Sequence, residues 1–259
     1  MQVFAMCMEC QKELGHPTFE PFIVPYYDDR IAFVECSRGH KSAFIIQNPK
    51  FEVLLESGVN ALTAGFTMEA AASFSAALER FYEFCVNVLS MHREMTRTTY
   101  DQMFKVMARQ SERQLGAFLL LYALEFGTAY TPDCKIIEFR NSVIHKGAIP
   151  NPEEAKDFCG KVCQEIRALY EKLEQNCSAA INDTLLHDLS IRSSGLPKGS
   201  PRASADAIMF FKIVRTKNTF DEALEEYLKA RATLLGAISY LGLMHRAFNV
   251  GHAEAGSTR

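Results

Sequence analysis

Apolar residues recur about every 3.6 positions across residues 67–173, and this period is the strongest constraint on the fold. Each apolar stripe needs a partner surface, so amphipathic segments joined by short links predict a helical bundle with one core. The third segment opens at Thr131-Pro132-Asp133, which places a proline at the first helical position. Start and stop residues divide the region into four helices, at about 67–92, 98–127, 131–147 and 151–173.

Two pairs of potential metal ligands lie near the N-terminus. Cys7 and Cys10 form a Cys-x2-Cys pair, and Cys36 and His40 form a Cys-x3-His pair later in the chain. These four ligands suit tetrahedral Zn²⁺ and leave no open position, so we expect structural rather than catalytic zinc. His16 is a competing ligand outside the paired spacing. The alternative is that these cysteines are ordinary thiols without a metal.

Two short strands are predicted between the ligand pairs. Thr18–Val24 and Arg30–Glu35 are rich in Phe, Ile and Val, and Asp28-Asp29 mark the turn between them. Strands that carry a ligand pair at each end resemble a zinc ribbon. Residues 1–47 are therefore predicted to form a small β, zinc-ribbon-like segment.

The rest of the chain is predicted to complete or flank the bundle. Residues 48–65 are expected to be a connector with some helical character, and residues 193–201 a flexible Ser/Gly/Pro loop. A long helix is predicted at about 220–248. The predicted fold class is mainly α, with a helical bundle at 48–180 and, at 181–259, a linker and C-terminal helices that pack on the bundle or a second subunit. Three loop cations could contact RNA or simply face solvent: Arg192, Lys198 and Arg202.

Composition predicts a globular cytoplasmic protein. Of the 259 residues, 48% are hydrophobic and 23% charged, and the longest apolar run is too short to cross a bilayer. The N-terminus lacks the basic region of a secretory signal, so the eight cysteines are expected to be thiols or metal ligands rather than disulfides. A net charge of −3 argues against a surface built to coat long duplexes but permits a local basic pocket.

The sequence Arg140-Asn141-x3-His145 lies in the last turns of the third predicted helix. Arginine offers a permanent charge and a planar fork for a phosphate, and histidine exchanges protons near neutral pH. Together they suffice for RNA cleavage without a metal. The simpler alternative makes Arg140 a surface ion pair with Glu138 or Glu153, and His145 a helix cap.

Residues 66–177 resemble the higher eukaryotes and prokaryotes nucleotide-binding (HEPN) superfamily of helical-bundle domains. That family's signature is an Arg, a polar residue and, after several spacers, a His, here Arg140, Asn141 and His145. The stretch 77–84 in the first helix is also similar to these domains, and a zinc-ribbon preface is similar to that of some bacterial members. Some members carry a Tyr two residues after the His, but this chain has Gly147 there, which puts control by modification of that Tyr in doubt.

The resemblance implies a metal-independent endoribonuclease that leaves 2′,3′-cyclic phosphate and 5′-hydroxyl ends. His145 would act as base on the ribose 2′-OH or as acid on the leaving 5′-oxygen, and Arg140 would neutralise the phosphate. Asn141 would orient Arg140 or the phosphate, with Glu79 and Lys146 as possible helpers. The resemblance also implies an RNA substrate and a role in antiphage defence or a toxin system, with a possible partner protein from that system.

Spacing suggests a homodimer. Residues five apart on a helix differ by about 140° in projection, so Arg140 and His145 are not expected to form a site within one chain. A composite site across a two-fold axis would use both pairs, and active HEPN members work as dimers. The competing hypothesis is a non-catalytic HEPN-like module that binds a nucleotide or scaffolds a complex.

Overall fold

The computed structural model describes residues 2–5, 7–14, 22–36 and 38–236. Most of these residues are helical, and a small three-stranded sheet includes strands from the N-terminal region. The chain divides into two compact units. The smaller unit comprises Met1–Gln47, Leu189–Ala207 and Glu225–Arg259, and the larger comprises Asn48–Asp188 and Ile208–Leu224. No helix within the described residues is long and apolar enough to cross a membrane.

The smaller unit contains two sheets. In the first, β1 (Gln2–Ala5) pairs antiparallel with β2 (Phe22–Pro25). In the second, β4 (Lys41–Ile46) lies in the middle, antiparallel to β3 (Ile31–Glu35) and parallel to β5 (Arg202–Ala205). A short helix, α1 (Met8–Leu14), follows β1 in the chain.

The two strands expected between the ligand pairs form, but they do not pair with each other. The turn at Asp28-Asp29 is present, and the Arg30 N–H donates to the Tyr27 carbonyl at 3.0 Å. β3 pairs instead with β4, which the sequence patterns did not indicate, and β2 pairs with β1. The predicted strand Thr18–Val24 lies partly outside the described residues, as does His16.

The segment 193–201 contains the end of α7 and then an irregular loop that leads to β5, and this loop makes contacts that its Ser/Gly/Pro content does not predict. Leu196 is buried against Ile31, Ala43 and Ile45 of the second sheet. The Ala43 N–H donates to the Pro201 carbonyl at 2.9 Å, directly ahead of β5. An apolar anchor and a backbone hydrogen bond therefore attach this loop to the second sheet.

Two of the three loop cations are engaged within the smaller unit. Arg192 donates to the Ile46 carbonyl at 2.7 Å, and Arg202 donates to the Ser193 carbonyl at 2.8 Å. Their guanidinium groups satisfy backbone oxygens near β4 and β5. Lys198 is exposed.

The larger unit is a helical bundle. Phe51 lies at its centre, with its ring 5.0 Å from that of Phe81 and 5.3 Å from that of Phe211, both edge-on. Gly58 allows two helices to approach closely, because a Cβ there would lie 2.4 Å from Phe74 Cδ2. The helices are α2 (Lys50–Thr63), α3 (Thr67–His92), α4 (Arg97–Met107), α5 (Ser111–Phe126), α6 (Cys134–Lys146), α7 (Pro152–Ser194), α8 (Phe210–Thr216) and α9 (220–236), of which α7 and α9 continue into the smaller unit.

The bounds predicted for α3 are confirmed, but several other helices differ from prediction. The expected connector at 48–65 is the helix α2, whose Leu55 and Val59 are fully buried. The helix expected at 98–127 is two helices, because Gln110 adopts an extended conformation. A break of three residues leaves the spacing of the apolar residues nearly helical, so the apolar period does not reveal that the helix is interrupted.

The ends of α6 and α7 also refine the prediction. Asp133 caps α6, its carboxylate accepting from the Lys135 N–H at 2.8 Å, so Pro132 precedes the helix instead of beginning it. Gly147 ends α6 as predicted, with a φ of 68° that favours glycine. The fourth helix continues through one non-helical residue, Cys177, to Ser194, so residues 181–194 are helix and not linker.

The predicted helix at 220–248 is helical over 220–236, and its remainder lies outside the described residues.

Candidate functional site

Three cysteines and a histidine converge in the smaller unit. Cys7 and Cys10 lie at the start of α1, and Cys36 and His40 lie in the loop between β3 and β4. That loop is closed by hydrogen bonds from the Gly39 N–H to the Cys36 carbonyl at 2.8 Å and from the Cys36 N–H to the His40 carbonyl at 3.0 Å. Local backbone structure therefore presents each ligand pair to the other.

The four ligand atoms have the spacing of a metal site. Cys10 Sγ lies 3.7 Å from Cys36 Sγ and 3.3 Å from His40 Nδ1, and Cys7 Sγ lies 3.9 Å from His40 Nδ1. All four atoms fall within 4.8 Å of one another. Ligands of a tetrahedral zinc ion are separated by roughly 3.5 Å, given metal–ligand bonds of about 2.0–2.3 Å. The group can therefore hold a metal ion.

The surroundings of the cluster also suit a cation. All three cysteines are buried, and His40 Nε2 lies 3.2 Å from the Glu13 carboxylate. A carboxylate on the far nitrogen is the partner that metal-binding histidines commonly have, because it fixes which nitrogen faces the ion. Glu13 in turn accepts from Arg38 at 2.8 Å.

The thiols differ in acidity before any ion binds. Burial, with the neighbouring Cys36 and Cys7 thiols, raises the pKa of Cys10 to about 12. Burial also acts to raise the pKa of Cys36, but hydrogen bonds from the backbone at His40 and Arg38 outweigh it and lower that pKa. A divalent cation would stabilise the thiolate form of every ligand.

The supporting structure differs from the expected ribbon. The predicted arrangement carries both ligand pairs on strands, whereas here Cys7 and Cys10 lie at the beginning of a helix. Only Cys36 and His40 lie in a β-hairpin loop, between β3 and β4. The Cys-x2-Cys spacing brings two side chains together in either setting, so it does not distinguish a strand turn from a first helical turn.

The Arg140 motif lies on a cleft of the larger unit. The cleft has a volume of about 400 Å³ and runs between α3, α5 and α6, with Glu165 of α7 also contributing. This volume is within the range of small-molecule sites. Its lining residues are Ser75, Leu78, Glu79, Tyr82, Ser111, Glu112, Gln114, Leu115, Pro132, Asp133, Ile136, Ile137, Arg140, Asn141, His145 and Glu165.

Arg140 is held by two neighbours. One guanidinium nitrogen forms an ion pair with Glu79 of α3, and the other donates to Asn141 Oδ1 at 3.2 Å. The Arg140 and Glu79 side chains are 26% and 32% exposed, so solvent screens their attraction only in part. The ion pair is formed with Glu79 and not with the sequence neighbours Glu138 or Glu153.

His145 reaches the same cleft as Arg140. It is exposed and lies one residue before the end of α6. Lys146 ends the helix, is also exposed, and is not among the described residues that line the cleft. Both side chains thus line one cleft of a single chain, although a helical projection, which leaves out side-chain length, sets them about 140° apart. The composite site across a two-fold axis stays a prediction.

A polar network that sequence reasoning missed lines the cleft beside the motif. Glu165 Oε1 accepts hydrogen bonds from Tyr82 at 2.5 Å and from Tyr130. Burial, followed by the charge of Glu165, raises the pKa of Tyr82 well above its usual range. Arg80 donates to Gln114 Oε1 at 3.2 Å. The stretch 77–84 pointed to α3, but no sequence signal indicated Gln114 or Glu165.

Other clusters have simpler explanations. Cys159 and Cys163 are buried packing residues, as their place near the apolar stripe predicts. His92, Glu125 and Cys177 bring ligand atoms within 4.8 Å of one another. However, the Glu125 carboxylate lies 3.3 Å from the Arg93 guanidinium as well as 3.2 Å from His92, so ion pairing accounts for this group.

The cleft thus combines a positioned cation, an exposed imidazole and buried hydrogen-bonding groups, while the cysteine cluster presents a complete set of metal ligands. No protein-family model, curated protein or solved structure significantly matches this chain.

Proposed function

We propose that the protein is a metal-independent endoribonuclease of the HEPN type. The observation that carries this proposal is the shared cleft of Arg140 and His145, in which Glu79 and Asn141 hold the guanidinium group. A fixed cation beside a proton-transfer group is what internal transesterification of RNA requires. The resemblance in motif and helix order supports the same function.

The proposed reaction uses the RNA's own 2′-hydroxyl. His145 accepts the 2′-OH proton as the oxygen attacks the adjacent phosphorus, and the bond to the 5′-oxygen breaks. The products are a 2′,3′-cyclic phosphate and a 5′-hydroxyl that has taken up a proton. Arg140 neutralises the charge on the phosphate, while Asn141 and Glu79 position its guanidinium group.

A homodimer would supply the second proton-transfer group. His145 of one copy acts as base, and His145 of the other protonates the leaving 5′-oxygen. The surface beside the motif supports such pairing, because Ile137 and Ile144 are each 42% exposed and lie on the same side of α6 as Arg140. The resemblance adds an expected role in antiphage defence or a toxin system.

We assign structural zinc to Cys7, Cys10, Cys36 and His40. Three thiolates and one imidazole suit zinc, and four protein ligands leave no position for a reacting water. The Glu13 carboxylate behind His40 supports this assignment. The zinc would hold the first ligand pair against the β3–β4 loop and would take no part in RNA cleavage.

One observation favours a non-catalytic module instead. The Glu79 carboxylate already pairs with Arg140, which offsets the charge that a phosphate needs. In that alternative, Arg140 joins α6 to α3 and the cleft binds a nucleotide without cutting it.

Cleavage of a fluorescent single-stranded RNA in EDTA separates the two functions. We expect Arg140→Ala and His145→Ala each to lower the rate about 10²- to 10⁴-fold, the range for loss of acid–base or electrostatic catalysis. Arg109→Ala and His187→Ala are matched controls, since neither residue lines the cleft. Equal rates for all five proteins would reject the enzyme, and cleavage only with added metal would reject the mechanism.

A further inference from the structure

The cleft contains a buried side-chain amide, that of Gln114, which the proposed chemistry of Arg140 and His145 does not use. Gln114 of α5 is 2% exposed, and its Nε2 has no hydrogen-bond partner among the described residues. Buried amide donors are nearly always paired, by protein, water or ligand. Because Gln114 lines the cleft, a ligand bound there is one candidate partner.

The orientation of this amide is fixed by its neighbour. Arg80 donates to the Gln114 oxygen at 3.2 Å, and a guanidinium group has donors only. The oxygen must therefore face Arg80, which leaves the NH₂ as the free end. Arg80 is itself held by an ion pair with Glu83. The Gln114 NH₂ is thus a hydrogen-bond donor that is held in position and has no acceptor among the described residues.

Glu165 offers the complementary group. Both of its tyrosine partners, Tyr82 and Tyr130, donate to Oε1. Among the residues that the structure describes, none donates to Oε2. A carboxylate accepts at both oxygens, so Glu165 retains acceptor capacity beside the cleft. The same cleft is therefore lined by an unpaired donor, a part-used acceptor and apolar side chains such as Leu115 and Ile136.

We infer that this cleft binds a keto nucleobase, uracil or guanine, of the RNA strand. The Gln114 NH₂ donates to the base carbonyl oxygen, Glu165 accepts the adjacent ring N–H, and the apolar side chains cover the faces of the base. This inference rests on the proposed function, since it places the base of the nucleotide whose 2′-OH reacts near Arg140 and His145.

The donors and acceptors on each base predict which bases the cleft prefers. Uracil and guanine carry a ring N–H next to a carbonyl, which matches an acceptor beside a donor. Cytosine and adenine carry a bare ring nitrogen next to an amino group, so they would set donor against donor and lone pair against lone pair. A site built to hydrogen-bond one pattern rejects the other because its buried groups stay unpaired.

Binding of 3′-mononucleotides to the full-length protein tests the assignment by calorimetry. We expect 3′-UMP and 3′-GMP to bind about tenfold or more tightly than 3′-CMP and 3′-AMP. Gln114→Leu keeps the side-chain shape without the donor, and should weaken the keto ligands about tenfold and remove the preference. Gln102→Leu, on the exposed surface of α4, should change nothing.

A second variant keeps the test decisive if Gln114→Leu unfolds the protein. In Glu165→Gln, the amide oxygen stays with the two tyrosine hydroxyls and an NH₂ replaces Oε2. Each base then makes one matched and one mismatched contact, because the Gln114 NH₂ still faces the base amino group of cytosine and adenine, so the preference for uracil and guanine should be lost. Equal binding of all four nucleotides by the wild type, no binding at millimolar concentration, or an unchanged preference in Glu165→Gln would overturn the inference.

The experiments distinguish a failure of the base-binding site from a failure of the proposed RNA cleavage. Binding requires neither His145 nor turnover, so a base preference that persists in a protein unable to cut RNA rejects the enzyme and keeps the subsite. Cleavage that depends on His145 but shows no preference among bases rejects the subsite and keeps the enzyme.

Discussion

The cysteine cluster and the Arg140 cleft differ in how much of their bonding capacity remains available. In the cluster, four ligand atoms face one another, and the far nitrogen of His40 is taken by Glu13. In the cleft, His145 is exposed, and Gln114 keeps a free donor. A closed set of ligands suits a structural ion, whereas unused groups around a cavity suit a ligand that comes and goes.

Removal of the metal should have the largest effect on stability, and this effect should be confined to the smaller unit. Structural zinc contributes about 10–16 kcal/mol in small zinc-binding peptides, so we expect Cys10→Ser to lose one equivalent of zinc and to destabilise the smaller unit. Elemental analysis and thermal melting measure both. Cys134→Ser, at an exposed cysteine outside the cluster, is the control.

The difference between the two sites also predicts which activity the Cys10→Ser protein retains. No residue that lines the cleft belongs to the smaller unit, so RNA cleavage should persist. A metal-free wild type that melts unchanged would contradict the zinc assignment. Cleavage that disappears together with the metal would contradict the separation of the two sites.

Substitutions of Glu79 test how Arg140 is positioned in the cleft. If Glu79 positions Arg140 for catalysis, Glu79→Ala should lower the cleavage rate about tenfold, while loss of this partly exposed ion pair should lower stability by only about 0–1 kcal/mol. Glu79→Gln keeps the oxygen that accepts from Arg140 and should recover most of the rate. Glu69→Ala, exposed on the same helix, is the control. A rate that stays constant across these variants would show that Glu79 does not position Arg140 for catalysis.

The smallest predicted effect concerns the tyrosine network. Burial and the charge of Glu165 raise the pKa of Tyr82 above its ordinary value of 10.0. The folded state therefore favours neutral tyrosine, and this stabilisation is complete below pH 10 and declines as the pH rises above it. Tyr82→Phe should cost about 0.5–1.5 kcal/mol at pH 7 and make stability less dependent on pH above 10.

Chemical denaturation at several pH values measures this change. Tyr27→Phe, at a tyrosine that is 77% exposed, should leave the curve as it is. A Tyr82→Phe protein whose stability falls as steeply above pH 10 as that of the wild type would show that the network does not hold Tyr82 neutral.

Local spacing predicted the parts of the molecule that local chemistry determines. The four ligands of the cluster were found from Cys-x2-Cys and Cys-x3-His, because each pair is brought together within one turn or loop. The bounds of α3 and the stop at Gly147 also followed from local signals, an apolar period and a residue that tolerates positive φ.

Features that depend on distant pairing could not be predicted in this way. β5 joins β4 across more than 150 positions, and the Ser-, Gly- and Pro-rich segment ahead of β5 is anchored by the buried Leu196. The cleft has the same origin. Arg140 was visible as a motif, but Gln114 and Glu165 reach the same cleft only in the folded bundle, where residues of α5, α6 and α7 line it together.

The ends of the cleaved RNA test the central claim most directly. Wild-type protein incubated with a defined oligonucleotide in EDTA should give 2′,3′-cyclic phosphate and 5′-hydroxyl ends by mass spectrometry, and Arg140→Ala and His145→Ala should give neither. Products with 5′-phosphate ends, or cyclic-phosphate products formed equally by the His145→Ala protein, would contradict the assignment of the chemistry to this cleft.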